Sequence, residues 1–257
     1  TPPDRQRLTQ RVSDKLLIDR LFPQVRLSIL AFTLARDRRD DALDPASGTF
    51  VSMDGDLALR SLGSEVGYAK SFIQGFVYRR VPKTRLVFAA GARVGLATGF
   101  ARRVVTLYDG GNPIVGPDGQ PAATIVRSVP ASERFYAGGS TTIRGFTNDR
   151  VGTSSTLDRD GFPLGGLGMV IANAELRFPV WRWIGAVGFV DVGNVFARVG
   201  EIAPAEFRAA FGLGMRVRWP VLPMIRLDVG INPDSRLFEN GSREKSWAIY
   251  LGIGQAF

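Results

Sequence analysis

The group in this sequence best placed to do chemistry is an arginine inside a glycine-rich stretch, Ser132-Glu-Arg-Phe-Tyr-Ala-Gly-Gly-Ser-Thr-Thr-Ile-Arg-Gly-Phe146. Gly138 and Gly139 let the chain turn sharply and approach a wall closely, and Gly145 does the same at the tip. Arg144 carries a permanent charge on that tip, and a guanidinium buried without partners is costly. Other chemistry is largely excluded. The 257 residues include no Cys and no His, which removes a Ser-His-Asp triad, a thiolate nucleophile and a Cys/His zinc site. Asp54 and Asp56 share one strand face and read as polar residues of that face rather than as a hydrolytic dyad. Asp109–Gly119, DGGNPIVGPDG, holds acids and glycines but lacks the spacing of a calcium loop. Asn240-Gly-Ser242 matches a glycosylation sequon but reads as a loop turn. Arg102-Arg103 has no stripe of interleaved basic and exposed aromatic residues around it, so nucleic acid is not an expected partner. No nucleotide-binding Gly-Lys-Ser/Thr motif occurs. The expectation is a protein without enzymatic activity, cofactor or metal.

The elements that position Arg144 show in the hydrophobic period. From Phe207 to Trp219 the odd positions are all apolar, while the even ones are Arg208, Ala210, Gly212, Gly214, Arg216 and Arg218. Val170–Val180, Leu86–Leu96 and Ile225–Asn232 alternate in the same way, with Arg93, Asn173, Glu175, Arg177, Arg226 and Asp228 on the polar face. Period two marks β-strands with one apolar and one polar face. A soluble sandwich or a lipocalin-like barrel would also alternate. These strands, however, run about 10–13 residues, against a usual 5–6, and membrane-spanning strands need about 9–11. The net charge is +9, and 29 of the 33 basic residues are Arg. A polar face of Arg, Asp, Asn and Gly suits the lumen of a membrane barrel. Trp181, Trp183, Trp219 and Trp247 sit near strand ends, where an interfacial girdle lies.

Nine strands are expected, at about 25–36, 49–60, 66–79, 85–98, 167–180, 184–195, 207–219, 225–232 and 246–256. Residues 5–22 fit either a tenth strand or a helix, because Leu8, Val12 and Leu16 also carry a helical period. Short connections alternate with long ones, as in outer-membrane barrels, and the longest loop covers about 99–166. The chain opens Thr1-Pro2-Pro3-Asp4 without the basic and apolar regions of a signal peptide, so either a cytoplasmic protein or a mature or excised piece of a longer one is expected.

Four motifs in order then resemble the Omp85 superfamily. The segment with Arg134, Phe135, Gly138 and Gly139, ending in Ile143, Arg144, Gly145 and Phe146, is similar to that family's loop, where an (V/I)-R-G-(F/Y) tip follows R-F-x-x-G-G. Phe189-Val-Asp191-Val-Gly193 resembles its F-x-D-x-G strand, and Asp37-Arg-Arg-Asp40 through Pro45 and Gly48 resembles its D-x-R-D…P-x-x-G hairpin. The stretch Gly252-Ile-Gly254-Gln-Ala-Phe257 is similar to the aromatic-terminated last strand of bacterial outer-membrane proteins.

The resemblance implies an all-β, transmembrane antiparallel β-barrel, with residues 25–257 as the C-terminal nine or ten strands of sixteen and residues 1–24 as an N-terminal remnant. It implies that the loop folds into the lumen, that Glu175 and Asp191 meet Arg144 there, and that Phe189 and Gly193 are further lumen partners of the loop. It further implies a factor in the bacterial outer membrane that inserts other barrel proteins. Its partners would be the lipid bilayer, unfolded outer-membrane clients, and periplasmic or lipoprotein accessory subunits. The seam between first and last strands would open; Gly252 and Gly254 either weaken the last strand for that opening or make room for the Arg144 loop in the lumen. Two alternatives stand beside this, a two-partner-type polypeptide translocation pore and a barrel that anchors a fused periplasmic enzyme.

Overall fold

The computed structural model describes residues 25–105, 123–219 and 223–257. In chain order the strands are β1 (Ile29–Asp37), β2 (Gly48–Ala58), β3 (Tyr68–Arg80), β4 (Val87–Gly99), β5 (Arg102–Val105), β6 (Ala123–Val126), β7 (Gly168–Trp181), β8 (Ile184–Phe196), β9 (Arg208–Val217), β10 (Ile225–Ile231) and β11 (Trp247–Ile253). One nine-stranded sheet runs β1-β2-β3-β4-β7-β8-β9-β10-β11, and β5 pairs with β6 apart from it. This is the strand arrangement of part of a transmembrane antiparallel β-barrel. No helix among the described residues is long and apolar enough to cross a membrane.

The alternation in sequence becomes alternation in exposure. Along β9, Ala209, Phe211, Leu213 and Met215 lie exposed on the outer face, while Arg208, Ala210 and Arg216 are buried on the inner one. Along β10, Ile225, Val229 and Ile231 face out and Arg226, Asp228 and Gly230 face in. The outer face therefore presents a continuous apolar surface, and the charges converge inside. A slip of one residue would turn every Arg outward, which locks the register. Trp181, Trp183 and Trp219 are exposed near one end of their strands, and Trp247 begins β11.

The chain packs as two compact units. The larger comprises Phe32–Gly55, Ser71–Leu96 and Arg134–Phe257 and holds the greater part of every strand in the nine-stranded sheet. Among the described residues the smaller draws on 25–31, Asp56–Lys70, 97–105 and 123–133. Within it the Phe100 amide donates to Gly67 O at 2.8 Å and the Glu65 amide to Arg26 O at 3.0 Å.

Four expectations need correction. The nine expected strands become eleven among the described residues, because β5 and β6 form an antiparallel pair within the long loop, Arg102 opposite Val126. The first strand starts at Ile29 rather than residue 25, and β10 stops at Ile231 rather than residue 232. The last strand stops at Ile253 instead of continuing to residue 256, because Gly254 takes a left-handed φ of 77° that ends the extended run. Ladder pairing also shifts between Pro179 and Trp181 at the end of β7, where proline has no amide to donate. Residues 5–22 and the 109–119 stretch lie outside the described residues.

The outward register has a direct test. Leu213, in mid-strand, is 70% exposed on the apolar face. Leu213→Arg in the full-length protein should lower stability in bilayers by about 2–4 kcal/mol, measured by reversible unfolding. A cost near zero would place this face in water.

Candidate functional site

The site is built on the inner face of β7–β11, where side chains form rows across the sheet. One row runs Glu175, Phe189, Gly212, Gly230 and Ala248 through successive register partners. The next runs Arg177, Val187, Gly214, Asp228 and Tyr250. In the first row bulk and acid on β7 and β8 thus give way to small residues on β9 to β11, and the loop tip settles over the small ones. A Cβ on Gly230 would collide with the backbone of Arg144 and Gly145. Gly145 itself has φ 101°, and a Cβ there would stand 3.0 Å from Ile231 C and 3.1 Å from Ala210 Cβ. Both glycines are therefore required by contact, one on each side of the same interface.

Arg144 is 1% exposed. Its Nε donates to Asp191 Oδ2 at 2.8 Å and its Nη2 to Asp191 Oδ1 at 2.8 Å, a side-on bidentate pair. Its Nη1 donates to Glu175 Oε1 at 2.6 Å. The Arg144 backbone amide also donates to Asp191 Oδ2, at 2.9 Å. The guanidinium carbon lies 3.6 Å from the Phe189 ring centroid, so charge and ring stack face to face. Asp228 Oδ2 stands 3.5 Å from Arg144 Nη1, within ion-pair reach but without a hydrogen bond. Burial alone would lower the Arg144 pKa; hydrogen bonding to Asp191 and the charges of Asp191, Glu175 and Asp228 outweigh it and raise it.

Further charges surround this pair. Arg177 Nε donates to Glu175 Oε2 at 2.8 Å, and Arg216 Nη1 to Asp228 Oδ1 at 2.5 Å. Arg144, Arg177, Arg216 and Arg226 face Glu175, Asp191 and Asp228, all seven buried. Glu175 and Asp228 are each shared between guanidiniums, while Asp191 takes Arg144 and the Asn173 amide, which together offset the desolvation of so many charges. The loop is fixed at other points as well. Asn173 Nδ2 donates to Thr142 O at 2.7 Å, Arg226 Nη1 to Ser140 O at 3.2 Å, and Arg208 stacks 4.6 Å above the Phe146 ring. Ile143 and Phe146 are fully buried.

The remaining motif residues shape the loop's stem. Gly138 (φ 115°) and Gly139 (φ 101°) are left-handed, and the Gly138 amide donates to Thr142 Oγ1 at 2.9 Å. Arg134 Nη1 donates to Leu164 O at 3.0 Å, and Phe135 packs on Phe72 with centroids 6.3 Å apart. A Cβ on Gly193 would collide with Val170 O of the neighbouring strand, so this position serves strand packing.

Past β11 the chain leaves the sheet. The Gly254 amide still donates to Met224 O at 2.9 Å, but Gln255 accepts from Arg216 Nε at 2.9 Å and donates to Asp44 Oδ1 at 2.7 Å. The Phe257 ring stacks on Phe76 at 5.5 Å, and its carbonyl accepts from Arg177 Nη2 at 3.3 Å. Phe257 is thus not a strand residue. Gly252 remains in β11, and a Cβ there would meet the flexible Arg226 guanidinium at 3.0 Å. Its smallness therefore makes room for Arg226. The 38–47 hairpin is closed by Asp40, whose Oδ1 accepts the amides of Ala46 and Ser47 at 2.9 and 3.0 Å. Desolvation pushes the Asp40 carboxyl up, but those amides, the Ser47 side chain and Arg80 outweigh it and hold its pKa at about 2. Asp44 is likewise held below the ordinary range, since its bonds to Arg218 and Gln255 outweigh burial.

Sequence reasoning did not single out Asp228, Gly230 or Tyr250. Asp228 and Gly230 sit on the polar register of β10 and Tyr250 on the small-residue face of β11, which was the available signal. The site is a charged clamp that fixes a loop.

Residues 19–257 match the Omp85 superfamily domain. A SAM50-like protein of Schizosaccharomyces pombe is 28% identical over 167 residues, covering 62% of this chain and 29% of the relative. The crystal structure of BamA from Haemophilus ducreyi lacking POTRA domains 1–3 superposes with a TM-score of 0.61 at 17% identity, over 88% of this chain and 42% of that one. The chain therefore spans less than half the length of either protein.

Two outcomes follow, one from the clamp and one from the hairpin. Arg144→Ala leaves Glu175 and Asp191 buried and short of their partner, which typically costs about 3–5 kcal/mol. Amide exchange over 135–151 should rise steeply, and Arg144→Lys should restore only part of the protection, lacking the planar fork. Full protection in the Lys variant would mean that charge alone suffices. Separately, a carboxyl-carbon NMR titration of Asp40 should give a midpoint of about 2. The hairpin's stabilisation is then complete above an unfolded value of about 3.9 and is lost as pH falls through the folded one. A midpoint near 3.9 would contradict the capping role.

Proposed function

This chain belongs to the Omp85 superfamily, and on that footing we propose that it is the C-terminal, membrane-embedded part of a factor that inserts other β-barrel proteins into an outer membrane. The observation that carries this reading is the family match over residues 19–257, and the strand at which a seam would open is β11. Among the described residues it pairs with β10 alone, from Ile225 opposite Ile253 to Ile231 opposite Trp247. Every second backbone N–H and C=O pair along its other side then points away from the sheet. Hydrocarbon cannot satisfy those groups, so a strand must cover them.

The outer face of β11 presents Trp247, Ile249, Leu251 and Ile253, which suits contact with lipid. Once uncovered, such an edge with a lipid-compatible face is the template that strand addition uses. In this reading an incoming client strand pairs with β11 when the protein's own first strand lets go. The loop with Arg144 keeps the inner wall rigid behind that edge. The SAM50-like and BamA relatives support the assignment at the level of the family, and no nucleotide or cofactor chemistry enters it.

The absence of native cysteine in this chain makes a clean test practical. Leu251→Cys would be combined with a cysteine on the facing first strand of the full-length protein, and the seam locked by oxidation. Client insertion should stop in the oxidised protein and recover on reduction. Insertion at the normal rate through a locked seam would refute strand-edge gating. Loss of soluble-passenger export with insertion unaffected would instead make the chain a polypeptide translocator.

A further inference from the structure

Tyr250 lies on the inner face of β11, opposite Asp228 in the β10 register. Its hydroxyl accepts the Gly145 amide at 3.1 Å and donates to Phe146 O at 2.5 Å. One hydroxyl thus uses its donor and an acceptor on two neighbouring residues of the loop tip. Both partners lie more than a hundred residues away in sequence, at separations of 105 and 104. Arg144 binds β7 and β8, Asn173 ties Thr142 to β7, and Arg226 ties Ser140 to β10. Among the described residues, Tyr250 is the β11 side chain that hydrogen-bonds the loop.

Beside this contact a cavity of about 670 Å³ opens between loop residues Thr147 and Asn148 and the strand residues Trp247, Ile249 and Tyr250. The loop is therefore held against β11 at the Tyr250 hydroxyl and stands off from it just beyond. Packing against β11 is also thin on this face, where the strand carries Ala248 and Gly252 on either side of Tyr250. Two hydrogen bonds from a fixed ring are a large share of what joins loop to strand here.

We propose that Tyr250 is a positioning residue that couples the Arg144 loop to the edge strand, so that β11 cannot move away from the inner wall without breaking the hydroxyl bridge. The coupling rests on the assembly-factor reading for its purpose, but not for its existence. It runs through the short path Asp191, Arg144, Gly145, Tyr250, each link a hydrogen bond or a peptide bond. Loosening the clamp on Arg144 therefore reaches β11, and pulling on β11 reaches the clamp. The hydroxyl is the group that matters. Tyr250→Phe keeps the ring and its packing and removes both bonds.

The test is hydrogen exchange on the full-length protein in lipid bilayers, with no client present. Tyr250→Phe should raise exchange about tenfold at the Gly145 amide and across Trp247–Ile253, the effect of losing two ordinary hydrogen bonds. The β7–β8 amides between Ile171 and Asn194 should stay unchanged. Arg144→Lys should also raise exchange in β11, and that rise should vanish when it is made in the Tyr250→Phe background. If Arg144→Lys loosens β11 equally in both backgrounds, or if Tyr250→Phe affects Gly145 and leaves β11 untouched, the coupling is overturned. A normal insertion rate through the locked seam would remove the purpose and leave this exchange result standing, so the two readings fail separately.

Discussion

Everything on the inner face depends on how the buried charge of Arg144 is neutralised. A guanidinium at 1% exposure has no water to rely on, so its charge must be met by fixed groups at hydrogen-bond distance. Asp191 meets it side-on through two contacts and also holds the Arg144 backbone amide. One carboxylate thereby fixes both the side chain and the main chain of the loop tip. Glu175 takes the remaining face, and Phe189 supplies the electron-rich surface beneath. Acids from β7 and β8 become neighbours of a loop more than thirty residues away from the nearer of them, at a separation of 31. Because the pairs are dry, salt screens them little.

Steric design complements the charge. The tip can reach Asp191 only because Gly230 leaves room for its backbone, and because Gly145 can adopt its positive φ against Ile231; Gly212 in turn leaves room for the Phe189 ring. Charge draws the tip to β7 and β8 while the small residues of β9 to β11 admit it. The extra guanidiniums of Arg177, Arg216 and Arg226 extend the same network to Asp44, Ser140 and Gln255, the first and last of these through Arg216 and its partner Gln255. The hairpin at 38–47, the loop tip and the segment after β11 are thereby joined through shared polar groups rather than a greasy core.

The strands were legible because period two is a local property. Phe211, Leu213 and Met215 alternate with Gly212, Gly214 and Arg216 in any conformation, and burial of one face follows. The β5–β6 pair was not legible, since Arg102–Val105 and Ala123–Val126 are too short to show a period and meet across a long separation. The end of β11 was misread for a related reason. Alternation continues formally to residue 256, while the stop is set by one backbone angle at Gly254. Of the site, Arg144, Glu175 and Asp191 could be named through family motifs, because burying a charge demands acids on a polar register. Tyr250 could not. A tyrosine on a strand carries no sign of where its hydroxyl finds partners, and that contact exists only once register and loop are both set.

The central claim is that the Arg144–Asp191 pair holds the loop against the inner wall. The most direct measurement is the distance distribution between spin labels at Thr141, exposed beside the loop tip, and Val190, on the outer face of β8. With Asp191 intact the distribution should be single and narrow. With Asp191→Asn, which keeps the shape and removes the charge, it should broaden and move to longer distances. A narrow distribution unchanged by Asp191→Asn would show that packing alone retains the loop, and would contradict the account.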